Sequence, residues 1–270
     1  MLEQMKGFGR GALYLDVFKE FNGVKAFFST KEGACEGNPY RNEGIFKSLG
    51  LDKMTAVRPV QVHKDNVEVI GDRQLRDAAE NALREIILPD RDGMITDKAD
   101  VLLTTVHADC IPVYFYDSVR KAIGLVHSGW RGTAMGIAST AILKMMEEYG
   151  CRPEDIQVFI GPGISRCCFE TGAEVYEEFK SKWSFIDNFA DIKISDFGIG
   201  KEAKYYIDLK GIISRQLIAI GLDKGNIQVS EHCTSCEDDL FVSYRREGGT
   251  RMRMGAGIAM TAREFTSEIF

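Results

Sequence analysis

Three runs of sequence decide the fold. They are Asp100-Val101-Leu102-Leu103-Thr104-Thr105-Val106, then Ala108-Asp109-Cys110-Ile111-Pro112 leading into Val113-Tyr114-Phe115-Tyr116, and Ala122-Ile123-Gly124-Leu125-Val126 leading into His127-Ser128-Gly129-Trp130-Arg131-Gly132. Each is apolar and β-branched or aromatic over four to seven residues, the signature of a buried strand. Each ends in a break. The stretch therefore sets a cysteine and a histidine at the ends of two buried strands, with Pro112 removing a ladder donor beside Cys110. After Gly132, Ala134, Ile137, Ala138, Ala141, Ile142, Met145 and Met146 recur at helical spacing, and Gly150 supplies the stop.

Outward from this strand, turn and helix, Val24 to Ser29, Val67 to Ile70, Ile156 to Ile160, Ile227 to Ser230, Phe241 to Tyr244 and Gly257 to Met260 read as further strands. Asp72 to Glu85 and Ala173 to Phe179 read as helices. Asp208 caps another, whose apolar face is Ile212, Ile213, Leu217 and Ile220, with Gly221 closing it. Lys31 to Asn42 reads as a Gly-rich loop. Helices and strands mix without strict alternation, and neither a repeat nor a low-complexity linker divides the chain. The expected fold is a single α+β domain over residues 1–270, with mixed β-sheets flanked by helices.

A formal net charge of -6, without a long basic run, argues against nucleic acid and anionic membrane as partners. Met1 to Glu20 lacks the apolar core of a signal peptide, and nowhere do about 18 uncharged apolar residues run together. Seven cysteines form neither an even nor a dense framework, which fits thiols kept reduced in a cytosol. A cytoplasmic protein is expected; composition leaves its oligomeric state open.

Gln61-Val62-His63 adds a histidine to Cys110 and His127. In extended backbone Gln61 and His63 share a polar face, with Val60 and Val62 turned to a core. The three side chains make a His/Cys/His set, and three protein ligands with one open position is how catalytic zinc is held. The alternative for each is ordinary: a core cysteine, a surface histidine. Period-two alternation sets His107 on the face opposite Cys110, so it is read as structural or surface rather than a ligand. Arg131 is a candidate for phosphate or an anionic transition state, or else a salt-bridge partner of Asp109. Arg245 and Arg246 end the Phe241 strand with guanidinium groups suited to phosphate. Cys233-Thr234-Ser235-Cys236 has zinc-ligand or redox spacing, but no second CxxC accompanies it.

Taken in order, Gln61-Val62-His63, Asp92-Gly93, Ala108-Asp109-Cys110-Ile111-Pro112, His127-Ser128-Gly129-Trp130-Arg131-Gly132, Gly161-Pro162-Gly163-Ile164 with Cys168-Phe169-Glu170, and Cys233-Thr234 with Ser243-Tyr244-Arg245-Arg246 resemble the multicopper polyphenol oxidase or laccase-domain family. Members of that family are described as zinc-dependent purine nucleoside phosphorylases. The resemblance runs from about Phe27 to the C-terminus. It implies that His63, Cys110 and His127 bind catalytic zinc. It also implies phosphorolysis of adenosine, inosine, guanosine and methylthioadenosine, with adenosine deamination alongside, so that purine nucleoside and phosphate are the partners. Asp109 and Glu170 are then candidates for proton transfer or for orienting a ligand histidine, and Arg131 and Arg245 for binding phosphate. Copper is the alternative metal, as the family name implies, but only four histidines are present for a multicopper centre. A metal-free Cys110/His127 hydrolase and a non-catalytic protein with a structural zinc are the remaining alternatives.

Overall fold

A computed structural model describes residues 2–3, 12–15, 18, 21, 23–37, 47, 49–82, 84–197 and 200–262. Two sheets face one another, and a helical layer covers the outer face of the second. The first sheet runs in the order Leu2–Glu3, Ala12–Leu15, Val24–Ser29, Met252–Met260, Val101–His107, Thr55–Pro59, Glu85–Leu88, with Cys35–Glu36 also paired to Met252–Met260. The second runs Ile227–Val229, Ile156–Ile160, Ile111–Asp117, Ala122–Ser128, Gly93–Thr96, Val67–Val69. Both mix parallel and antiparallel pairs. This is the expected α+β architecture.

The apolar runs quoted above follow from this layering. In Ile111–Asp117 every residue is buried, because the strand has a packed layer on each side. Ile111, Val113 and Phe115 face the helical layer with Ile137, Ala141, Met145, Ile212 and Leu217. Tyr114 and Tyr116 alternate to the other side, against Val57, Leu103, Met254 and Ile258 of the first sheet. Burying such side chains contributes roughly 1.5–3 kcal/mol each.

The helical run after Gly132 is two helices, Trp130–Met135 and Ile137–Tyr149, divided at Gly136, whose φ of 83° lies in the left-handed region. Gly150 ends the second with φ 65°. Asp208 caps Leu209–Ala219 by accepting from the Gly211 amide at 3.0 Å. Elsewhere the expectations need correction. The helix at Asp72 stops at Glu80, and Glu85–Leu88 is a strand added parallel to Thr55–Pro59. Phe241 to Tyr244 is not a strand: Phe241, Val242 and Ser243 are buried in irregular backbone that leads into a turn over residues 244–248, where the Ser243, Tyr244 and Arg245 carbonyls accept from the Glu247, Gly249 and Gly248 amides. The hairpin Ala190–Phe197 and Gly200–Ile207 was not expected at all. Beyond residue 37, the expected Lys31–Asn42 loop lies outside the described residues. No helix among the described residues is long and apolar enough to cross a membrane.

Candidate metal centre

Three breaks in the backbone converge at one end of the facing sheets. Past the end of Thr55–Pro59, the chain does not stay extended: His63 has φ 60°. Gln61 turns to the first sheet and exchanges bonds with Val106, its amide donating to the carbonyl and its Oε1 accepting from the NH. Val60 is left 46% exposed, so the period-two expectation for this segment fails. What imposes the left-handed turn is Asp92. Its fully buried carboxylate accepts from the amides of Val62, His63 and Lys64 at 3.1, 3.0 and 2.9 Å. Strain at a non-glycine residue persists only where its surroundings over-determine it, as these three bonds do.

The second break follows Val101–His107, where Asp109 has φ 81° and throws Cys110 back toward the site before Ile111–Asp117 begins. Asp109 is held there by three donors: Thr234 Oγ1 at 2.7 Å, Ser243 Oγ at 3.0 Å and the Arg245 amide at 2.7 Å. Because the bend intervenes, strand parity does not relate His107 to Cys110. His107 is buried, not on the surface, and both ring nitrogens are engaged, with Thr105 Oγ1 at 2.8 Å and the Cys110 carbonyl at 2.9 Å. Burial, reinforced by His127, pushes it well below the ordinary histidine pKa, so it stays neutral.

The third break follows Ala122–Ser128. His127 is buried and bonds Asp92 Oδ1 through Nδ1 at 2.9 Å. With Nδ1–H donated to the carboxylate, it is Nε2 that faces the site, and a metal bound there would take the place of its proton. Gly129 then passes so close that a Cβ there would meet His63 Cδ2 at 3.0 Å and Cys110 Sγ at 3.1 Å. The His63 and His127 rings cross edge to face with centroids 4.9 Å apart.

The ligand atoms of His63, Cys110 and His127 lie within 4.8 Å of one another, a group able to hold a metal ion. Two imidazoles and a thiolate suit a borderline-soft divalent ion, and three protein ligands leave one position for water or substrate. The electrostatics prepare the thiolate, while His127 holds a proton that a metal must displace. Burial opposes a charged His127, but the Cys110 thiolate and the Asp92 carboxylate outweigh it and push it up to about 9. Burial likewise opposes the Cys110 thiolate, and His127 and His63 overcome it, bringing the thiol down to about 6. Asp92, raised by burial but lowered more by His127 and the Lys64 and Val62 amides, sits below the usual carboxylate range. Without metal, Cys110 and His127 form a thiolate–imidazolium pair.

The other named residues have different surroundings. The carboxylate bonded to a candidate ligand histidine is that of Asp92, not Asp109 or Glu170; Asp109 instead braces the Cys110 bend. The signal for Asp92 was an acid directly preceding Gly93–Thr96, a strand buried at every residue, where a carboxylate must find donors. Glu170 accepts from Tyr206 OH at 2.6 Å. Arg131 does not pair with Asp109: its guanidinium lies 4.2 Å over the Trp130 ring. Arg245 donates to the carbonyls of Cys168 and Glu170 at 3.1 and 2.8 Å, and Arg246 to those of Thr234, Ser235 and Phe241. Both arginines tie loops together.

Residues 28–261 match the family model described as multi-copper polyphenol oxidoreductase laccase. A purine nucleoside phosphorylase of Bacteroides thetaiotaomicron is 34% identical over 258 residues, covering 88% of this chain and 92% of the relative. An adenosine deaminase, RL5, from an unknown prokaryotic organism is 33% identical over 264 residues, covering 90% and 97%. The crystal structure of YlmD from Geobacillus stearothermophilus superposes with a TM-score of 0.78 at 30% identity, covering 96% of this chain and 98% of that one. The matched span holds all three ligand candidates, Asp92 behind them and the Asp109 brace, and the chain belongs to this laccase-domain family.

Proposed function

We propose that this chain is a zinc-dependent purine nucleoside phosphorylase that cleaves adenosine, inosine, guanosine and methylthioadenosine with phosphate to free base and ribose 1-phosphate, and that deaminates adenosine at the same site. The observation that carries the reading is the three-ligand group His63, Cys110 and His127, oriented from behind by Asp92, in a chain whose relatives bear the names of both activities. Bound there, zinc would supply a Lewis acid at its open position and bring the pKa of a bound water to about 7.

The chain's own residues do the rest. Asp92 fixes the His127 tautomer and the His63 backbone together, so two ligands share one anchor. Asp109, fully engaged by three donors, holds Cys110 in place instead of carrying a proton. Glycosidic cleavage develops positive charge on the ribose, which an adjacent phosphate stabilises. Arg131, exposed and steadied over Trp130, is the cation assigned to that phosphate. Arg245 contributes by holding the Cys168–Glu170 loop.

Copper chemistry fits the residues poorly. Of four histidines, His107 is bonded on both nitrogens and His232 Nδ1 pairs with Glu237 at 2.7 Å. That leaves His63 and His127, too few imidazoles for a trinuclear cluster besides a thiolate site. The thiolate–imidazolium pair favours one second reading, a Cys110 nucleophile activated by His127. A single assay separates them. The zinc-loaded protein with adenosine and phosphate should release adenine and ribose 1-phosphate, omission of phosphate should suppress base release, and inosine reports deamination. A folded, zinc-loaded sample that cleaves none of the four nucleosides, while a copper-loaded one oxidises phenols at enzymatic rates, would return the oxidase reading. Retained turnover after complete metal removal would favour the nucleophile.

A further inference from the structure

Cys233-Thr234-Ser235-Cys236 lacks a second CxxC in the sequence, but the fold brings it a different pair. Cys167 and Cys168, on the loop that leaves strand Ile156–Ile160, meet Cys233 and Cys236, on the loop that leaves the neighbouring parallel strand Ile227–Val229. The two loops also bridge at Gly163 and Cys233. Cys167 Sγ lies 3.8 Å from Cys233 Sγ and 3.5 Å from Cys236 Sγ, and Cys168 Sγ lies 3.3 Å from Cys236 Sγ. No two of the four sulfurs are more than 4.8 Å apart.

We infer that these four cysteines form a second, structural zinc site, separate from the His63, Cys110, His127 group. Four sulfurs at the Zn–S bond length stand about 3.8 Å apart around a tetrahedral ion. The separations of 3.3–3.8 Å lie at or just below that value, whereas a disulfide needs about 2.05 Å. A polynuclear iron–sulfur cluster, with its ligands spread over several irons and their bridging sulfides, needs thiolates held further apart than this. Four ligands close the coordination shell, which marks a structural rather than a catalytic site.

The surroundings suit a thiolate-bound dication. Four thiolates around a divalent ion carry excess negative charge, and the buried ammonium of Lys210 lies within electrostatic reach of Cys233 and Cys167. It donates to Ser165 Oγ, Ser230 O and His232 O, on both cysteine-bearing loops. The Ser165 amide donates to Cys233 Sγ at 3.4 Å, the kind of bond that supports a metal thiolate.

The placement gives the site a task. Thr234 stands between Cys233 and Cys236, and its hydroxyl holds Asp109, the neighbour of Cys110. Arg245 joins Asp109, through its amide, to the carbonyl of Cys168, through its guanidinium, and Arg246 donates to the carbonyls of Thr234 and Ser235, between Cys233 and Cys236. Fixing the four sulfurs therefore fixes the outer wall of the loop that presents Cys110.

The full-length protein, purified under reducing conditions and equilibrated with zinc, should hold two equivalents by elemental analysis, one for each group. Cys110→Ala should lose one, and Cys167→Ser/Cys236→Ser should lose the other while keeping that at His63 and His127. Cobalt added to Cys110→Ala should give the intense sulfur-to-metal charge transfer and tetrahedral ligand-field bands of a four-thiolate centre, and this readout needs no cysteine removed from the cluster. A Cys110→Ala protein with no such spectrum, or a wild type whose second equivalent survives Cys167→Ser/Cys236→Ser, would overturn the inference. So would a freshly purified mass showing the four cysteines paired as disulfides that re-form in the presence of zinc.

Discussion

Asp92→Asn keeps the volume and removes one acceptor from a carboxylate that serves four N–H donors: Val62, His63 and Lys64 amides and His127 Nδ1. The amide nitrogen must replace either Oδ2, facing Val62 and Lys64, or Oδ1, facing His63 and His127. Either way two donors confront an NH2 group. Each buried donor left unmet costs about 1–3 kcal/mol, so roughly 2–6 kcal/mol of folding is at stake. Against a total of about 5–15 kcal/mol, that lowers the melting temperature of metal-free protein on the order of 10 °C. The wild-type contribution is present in full above the unfolded carboxylate pKa of about 4 and fades as pH falls through the lower folded value, so the gap between the two proteins should close in acid. Metal affinity, read by competition with a chromophoric chelator, should fall roughly 10–100-fold as His127 loses its fixed tautomer and His63 its left-handed turn. A variant that melts within about 2 °C of wild type and binds zinc within a factor of about two would show that Asp92 does not organise the site.

Gly129→Ala sets a methyl at 3.0 Å from His63 Cδ2 and 3.1 Å from Cys110 Sγ on an unstrained backbone, so zinc affinity should fall roughly 10-fold or more with little change in metal-free melting; unaltered affinity would mean the ligands yield freely. In metal-stripped protein Cys110 should alkylate with a half-maximal rate near pH 6 while Cys151, pushed up by burial and Asp117, stays inert, as followed by peptide mass mapping; a midpoint near the ordinary thiol value of about 8.5 would refute the thiolate–imidazolium pair. His107→Ala should keep the metal equivalent at His63, Cys110 and His127 but bind it about 10-fold more weakly, since the Cys110 carbonyl loses its donor; complete loss in a folded variant would make His107 a ligand.

The elements legible in the sequence are those where local chemistry and burial agree. Strands with a packed layer on both faces, such as Ile111–Asp117, read as unbroken apolar runs, and Gly150 and Asp208 announce helix ends through the backbone angle and the acceptor they supply. Ala190–Phe197 is not legible because its isoleucines face water, Ile192 at 53% and Ile194 at 67% exposed, in a run otherwise charged or small up to its last residue. Glu85–Leu88 is not legible as a strand, its first residue falling in the helical stretch before it, because four residues are too few to show a period. The candidate ligands are legible as chemistry, yet their geometry is not: His63 and Asp109 both sit at positive φ, imposed by partners distant in sequence. Phe241 and Val242 mislead because a buried irregular segment needs apolar side chains as much as a strand does. The pairing of Cys167 and Cys168 with Cys233 and Cys236 depends on the parallel register of Ile156–Ile160 with Ile227–Val229, which no local pattern encodes.

The Asp109 brace also orders events during synthesis. A growing chain owns His63, Cys110 and His127 before half its length has left the ribosome, but Thr234, Ser243 and Arg245 follow Asp109 by 125, 134 and 136 residues. Met252–Met260, last of the described strands to be made, then inserts between Val24–Ser29 and Val101–His107, so the first sheet has a gap at its centre until that moment. Nascent or C-terminally clipped chains thus carry the imidazoles and the thiol without the frame that aims them. On the proposed metal reading, capture would be a late event, coupled to completion of the polypeptide, and an unfinished chain would be kept from trapping an ion in the wrong geometry.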